Sequence, residues 1–246
     1  MAKTKKQGWF HRIDPLTSVL LVFPLFLVYE VGILAVPAAY NGADLITSAI
    51  LRMLHGNVTS YVALNAGLLL AFIGLTIYLR RDNQFKARMF WPVLFESTFY
   101  ALSMGALICF VMVDLLHVDP SLSLAPRTHG GGGTPGLLAS VIISLGAGVH
   151  EELVFRVVLL GGTAYVLERG LGARRWVALT LAFVVSSVLF SAAHHIIGGE
   201  PFRIGAFTYR VLCGLIFASL YEFRGLAVAV YTHAIYDIFV FVFKGG

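Results

Sequence analysis

Long apolar runs broken by short polar stretches dominate the chain. Seven of them are about 18 residues or longer, the length a helix needs to cross a hydrocarbon core of about 30 Å; they fall at 16–39, 60–79, 90–116, 136–166, 176–196, 204–221 and 226–243. Lipid offers the backbone no hydrogen bonds, so runs of this kind cross as helices. The pattern predicts an all-α fold, a polytopic membrane helix bundle with about seven transmembrane helices. The fourth run exceeds what a span needs and is expected to tilt, to break at Gly161-Gly162, or to lie partly outside the bilayer. Between the first two runs, Leu45, Ile46, Ala49, Ile50, Met53 and Leu54 share one helical face while Thr47, Ser48 and Arg52 take the other, the pattern of an interfacial helix. His117 to Pro135, with Gly130 to Gly133, is the longest polar interruption and reads as a flexible external loop. It is no phosphate loop, because Thr134-Pro135 follows Gly133 where Lys-Ser or Lys-Thr is required. The loop divides an N-terminal membrane region of three spans, 1–135, from a four-span region, 136–246; neither an internal repeat nor a soluble second domain is visible.

Composition turns this pattern into a class. Of 246 residues, 58% are apolar and 13% charged, with a mean hydropathy of +0.83. That leaves too few polar side chains to cover a water-facing surface, which excludes a nucleic-acid-binding module, a disordered chain and an ordinary soluble enzyme. The net charge of +5 matters through its distribution. Lys3, Lys5, Lys6, Arg12, Arg80, Arg81, Lys86, Arg88, Arg169, Arg174, Arg175 and Arg224 fall at one set of span ends, and only Arg52, Arg127, Arg203 and Lys244 at the other. The bias predicts a multi-pass cell-membrane protein with its N-terminus in the cytoplasm. The first run follows a basic start but is too long for a signal-peptide core, so it is expected to be an uncleaved anchor. Cys109 and Cys213 stand alone in apolar runs, as packing residues do.

An ionisable side chain inside a span is costly and is expected to be paired, to face a cavity, or to act in function. Such residues concentrate in three runs. The fourth carries His150, Glu151, Glu152 and Arg156; the fifth ends with Phe190, His194 and His195; the seventh carries His233 and Asp237. Glu152 and Arg156 are one turn apart and share a face, as an intrahelical pair does. Glu151 points about 100° away from them, without that cation, as suits a general base. His233 and Asp237 also share a face, where the carboxylate either fixes the imidazole tautomer or offers its own oxygen. A carboxylate and two imidazoles from three helices around buried water fit two chemistries. In one, Glu151 takes a proton from water while His194 and His233 orient it and stabilise the oxyanion. In the other, the same three side chains bind zinc or another divalent metal, which activates the water. The soluble zinc-protease motif HExxH is absent, since Val154 stands where its second His would fall.

Glu151-Glu152-x-x-x-Arg156, Phe190-x-x-x-His194 and His233-x-x-x-Asp237, in this order on separate apolar runs, resemble the three-part signature of the CPBP family, the CAAX protease and bacteriocin-processing (Abi) intramembrane proteases. The resemblance covers roughly 136–243. It implies an intramembrane endopeptidase with Glu151, His194, His233 and Asp237 in catalysis and Glu152, Arg156 and Phe190 in support. Asp237 stands where some members have Asn. Family members are described both as metalloproteases and as metal-free glutamate proteases, so both schemes stay open.

The expected partners are the lipid bilayer and a membrane-associated or exported protein or peptide substrate, with no nucleic acid. A prenylated CAAX protein and an exported protein or peptide are the two substrate options. From the span starts, His194 lies about 10 residues deeper than His233, or roughly 15 Å, which calls for a tilted or short fifth span. Glu30, Glu96 and Arg210 are further intramembrane charges, expected to form structural pairs, with an access path considered for Glu30 and a substrate carboxylate for Arg210. His150 and His195 are expected beside the site or at the interface, and Phe217, Tyr221, Phe239 and Phe241 in packing or against lipid. The alternative from another class is a non-enzymatic bacteriocin-immunity protein or a proton-coupled transporter.

Overall fold

In the computed structural model, which describes residues 12–41, 43–118 and 136–244, each apolar run becomes a helix and polar side chains set the starts. Asp14 caps α1 (Pro15–Ala35), accepting from Thr17 N at 2.9 Å, with Pro15 at the first helical position. A short α2 (Pro37–Asn41) follows. Asp44 caps α3 (Leu45–Met53) by accepting from Ile46 N and Thr47 N, and Asn57 caps α4 (Val58–Leu79). Next come α5 (Phe90–Phe110), extended to Leu115 by one wide turn, α6 (Leu137–Gly170), α7 (Arg175–Ile196), α8 (Ile204–Arg224) and α9 (Leu226–Lys244). The described residues contain no strand.

Among the described residues six helices, α1 and α4 to α8, are long and apolar enough to cross a membrane, which makes this a multi-pass helical bundle. The expected seventh span also becomes a helix, α9, apolar over Leu226–Phe241. Helix α9 packs against α1, α5, α6 and α8, and Ala227, Val228, Ala229 and Val230 in its first turns are fully buried. The turn before it is buried too: Ile13 N donates to Arg224 O at 2.9 Å, and Arg224 donates to Glu96 through Nε (2.6 Å) and Nη2 (2.8 Å). Gly225 turns there at φ 101°, where a Cβ would stand 3.0 Å from Ile13 O. Helix α9 therefore starts inside the protein, whereas α7 starts from an exposed Arg175. That offset absorbs the depth mismatch expected between His233 and His194.

The fourth run does not break at Gly161-Gly162. Helix α6 is continuous, with regular turns at Gly161–Tyr165 and wide i→i+5 turns at Ala147–Glu151, Leu153–Leu160 and Val166–Gly170. Wide turns of this kind often mark functional stretches of a helix. Gly148 lets α6 approach α9 closely, since a Cβ there would lie 2.9 Å from both Ala234 N and Val230 O. One turn later come the two glutamates.

Contacts at the helix ends agree with the alternation of basic residues. Arg12 and Arg175 both meet Glu222, and Lys86 meets Asp14, at one end of the bundle. Arg52 Nη2 donates to Ile197 O at 2.7 Å at the other. The loop expected at His117 to Pro135 lies outside the described residues from position 119 on, as do Lys3, Lys5, Lys6, Arg127 and the side chain of Lys244.

Candidate active site

The three polar motifs meet inside the bundle. Glu151 and Glu152 come from α6, His194 from the last turn of α7, and His233 from the second turn of α9; exposures of 2%, 0%, 5% and 4% leave all four buried. Glu151 Oε2 lies 3.8 Å from His194 Nε2 and 3.9 Å from His233 Nε2. Each imidazole is held by its other nitrogen. His194 Nδ1 lies 2.9 Å from Phe190 O, an atom that only accepts, so Nδ1 carries a proton. His233 Nδ1 donates to Glu152 Oε1 at 2.9 Å.

Glu152 thus joins two halves of the site. It pairs with Arg156 at 3.0 Å, as the one-turn spacing predicts, and also fixes His233 from across the bundle. The tautomer-fixing role considered for Asp237 falls to Glu152 at Nδ1, while Asp237 Oδ2 lies 3.7 Å from Nε2 of the same ring. Phe190 packs edge-on to His194 and His233, with the Arg156 guanidinium 5.3 Å above its ring. Phe217 lies flat on His233, ring centres 4.4 Å apart, so it walls the site instead of facing lipid. Its position in an apolar run gives no hint of this.

A cleft of about 80 Å³ reaches Glu151 and His194, with Asp44, Ser48 and Arg52 from around α3 on one wall and Ile197, Gly198 and Glu200 on the other. The donor set of two imidazole nitrogens and a carboxylate is of the kind zinc takes, yet among the described residues no three such side chains are spaced to hold an ion.

Residues 133–239 match the family model described as type II CAAX prenyl endopeptidase Rce1-like. The match agrees with the CPBP resemblance that the three motifs carry. The match supports a CAAX-type intramembrane protease in general, acting on a membrane-associated substrate. No curated protein and no solved structure matches the chain.

The CPBP region is joined to the N-terminal helices by a second polar cluster. Asp44 accepts from Tyr29 Oη as well as the two α3 amides, and His150 Nδ1 lies 3.5 Å from it. His150 Nε2 faces Glu30 at 3.7 Å, and Glu30 accepts from Tyr61 Oη at 2.9 Å. Burial works against ionisation of Asp44, but His150 and the hydrogen bonds from Tyr29 and Thr47 outweigh it and hold this carboxyl below the usual range. Glu30 is thus paired with Tyr61 and His150, as Glu96 is with Arg224 and Arg210 with Glu200. His195 turns toward Glu200 O and the rings of Phe202 and Phe207, away from Glu151. Asp44 carries no signal in the sequence beyond its place before an amphipathic helix, because its partners lie on α1 and α6.

Proposed function

We propose that the chain is an intramembrane endopeptidase in which Glu151 activates water, assisted by His194 and His233. The observation that carries this reading is the convergence of Glu151 Oε2 with two imidazole Nε2 atoms from separate helices, at the inner end of a cleft. Water held there loses a proton to Glu151 while its oxygen attacks the substrate carbonyl carbon. His194, its Nδ1 proton committed to Phe190 O, offers Nε2 to the second hydrogen of that water. His233 has Glu151, Glu152 and Asp237 around it; in its doubly protonated form it donates Nε2–H to the developing oxyanion. Collapse of the tetrahedral intermediate breaks the C–N bond, and Glu151 passes its proton to the leaving nitrogen, returning to carboxylate.

The cleft opens between α3 and the α7–α8 connection, the side that the basic-residue bias assigns to the exterior, which favours an exported substrate over a prenylated cytoplasmic one. In a background without Cys109 and Cys213, Met53→Cys is expected to label from outside and Asn83→Cys only from the cytoplasm; the opposite pattern reverses the orientation.

Cleavage of a membrane-anchored peptide by purified protein tests the chemistry. Glu151→Gln is expected to lower kcat by about 10²- to 10⁴-fold, with His194→Ala and His233→Ala also strongly impaired. A Glu151→Gln protein as active as wild type rejects the role. Metal content and chelator sensitivity of the same sample distinguish water activation by the carboxylate alone from activation by a metal on this donor set.

A further inference from the structure

The cleft that reaches Glu151 and His194 has an arginine on its rim. Arg52 lies in the last turn of α3, exposed, and its Nη2 donates to Ile197 O at 2.7 Å. That bond ties the guanidinium across the mouth, from the interfacial helix to the chain leaving α7. A guanidinium carries five N–H donors, and Ile197 O is the partner seen for this one among the described residues. The neighbouring carboxylates on the cleft wall are already engaged: Asp44 by Tyr29 Oη, two backbone amides and His150, and Glu200 by Arg210. The mouth thus presents a positive, planar donor array outside a buried carboxylate–imidazole site.

Such an array complements a carboxylate, which takes two parallel N–H bonds from a guanidinium. A peptide lying along the cleft with its scissile carbonyl at Glu151 brings the residues beyond the cut toward the rim. We propose that Arg52 is a specificity determinant that binds the C-terminal carboxylate of the substrate, so that the enzyme selects peptides ending within a few residues of the scissile bond. The proposal rests on the assignment of Glu151 as the base and gives Arg52 the role considered in sequence for Arg210. It also places a determinant of substrate choice outside the CPBP match, in the N-terminal region. An arginine on an interfacial helix also meets lipid phosphate, the same anionic chemistry from another source.

Two peptides identical except for a terminal carboxylate or carboxamide separate these cases, in vesicles of phosphatidylcholine with or without phosphatidylglycerol. Binding to the Glu151→Gln protein, by fluorescence anisotropy, reads recognition without turnover; cleavage by the Glu151 protein reads KM. Wild type is expected to favour the carboxylate peptide by about tenfold or more in both readouts, with or without phosphatidylglycerol. Arg52→Ala is expected to bring the carboxylate-to-carboxamide ratio close to one, and Arg52→Lys to restore part of it. The ratio needs no variant to be measured in wild type, and a ratio near one there overturns the proposal. So does a ratio that survives in Arg52→Ala, the mark of a merely structural role, or a dependence on phosphatidylglycerol that ignores the peptide terminus. If Glu151→Gln cleaves normally while binding keeps its Arg52-dependent preference, the base assignment fails and the recognition site stands.

Discussion

Two of the carboxylates that line the cleft, Asp44 and Glu151, have surroundings that differ in kind. Asp44 has two backbone amides on Oδ1, a tyrosine hydroxyl on Oδ2 and an imidazole beside it. Glu151 looks toward two imidazole Nε2 atoms at nearly 4 Å, each ring pinned from behind. Both are buried acids beside histidine, so neither burial nor a His neighbour makes a reaction centre. The distinction is geometric: the groups around Asp44 close on the carboxylate at hydrogen-bond distance, tying α1, α3 and α6 together, whereas the two imidazole Nε2 atoms from α7 and α9 converge on Glu151 Oε2 at 3.8 and 3.9 Å.

Substitutions behind each centre sharpen the contrast. Glu152→Gln has the largest expected effect on the catalytic side, because it leaves the Arg156 guanidinium buried without its carboxylate and loosens His233 in one step. Removing one partner of a buried pair costs about 3–5 kcal/mol, and the loss is expected as both a lower Tm and a severe fall in cleavage. A retained Tm with full activity would show that Glu152 holds neither group. Gly148→Val comes next: the new side chain meets α9 backbone flanking His233, for an expected cost of about 1–3 kcal/mol, read by thermal unfolding in detergent.

The Asp44 centre should respond through stability. Its folded-state pKa is lowered, so the ionised form adds stability that is complete above the unfolded carboxylate range and is lost as pH falls through the folded value. Asp44→Asn is accordingly expected to lower Tm at pH 7, with the gap to wild type closing below about pH 4. A gap independent of pH would remove charge from the explanation. The smallest effect belongs to α4, whose most apolar stretch has no buried residues. Leu70→Ala there, on a side chain 70% exposed, is expected to change Tm and cleavage within error.

Much of the candidate site was legible because its pairs repeat at one helical turn: Glu152 with Arg156, Phe190 with His194, His233 with Asp237. Each spacing places two groups on one face whatever the rest of the fold does. The link from Glu152 to His233 spans 81 positions, and no local pattern encodes it. The stacking of Phe217 was hidden for the opposite reason, since an aromatic in an apolar run looks the same against lipid as against an imidazole. Of the three outcomes expected for the fourth run, a tilt, a break at the paired glycines or a stretch outside the bilayer, the break does not occur. All seven expected runs become helices; that the start of α9 is enclosed by Ile13, Glu96 and the Arg224 turn is a tertiary arrangement beyond the reach of hydropathy.

The most direct test is the initial cleavage rate of one membrane-anchored peptide by Glu151→Gln and Asp44→Asn proteins, each measured at a temperature where it is fully folded. The contrast between the two carboxylates predicts a loss of about 10²-fold or more for Glu151→Gln and a rate within a few-fold of wild type for Asp44→Asn. Equal losses in the two, or near-normal cleavage by Glu151→Gln, would contradict it.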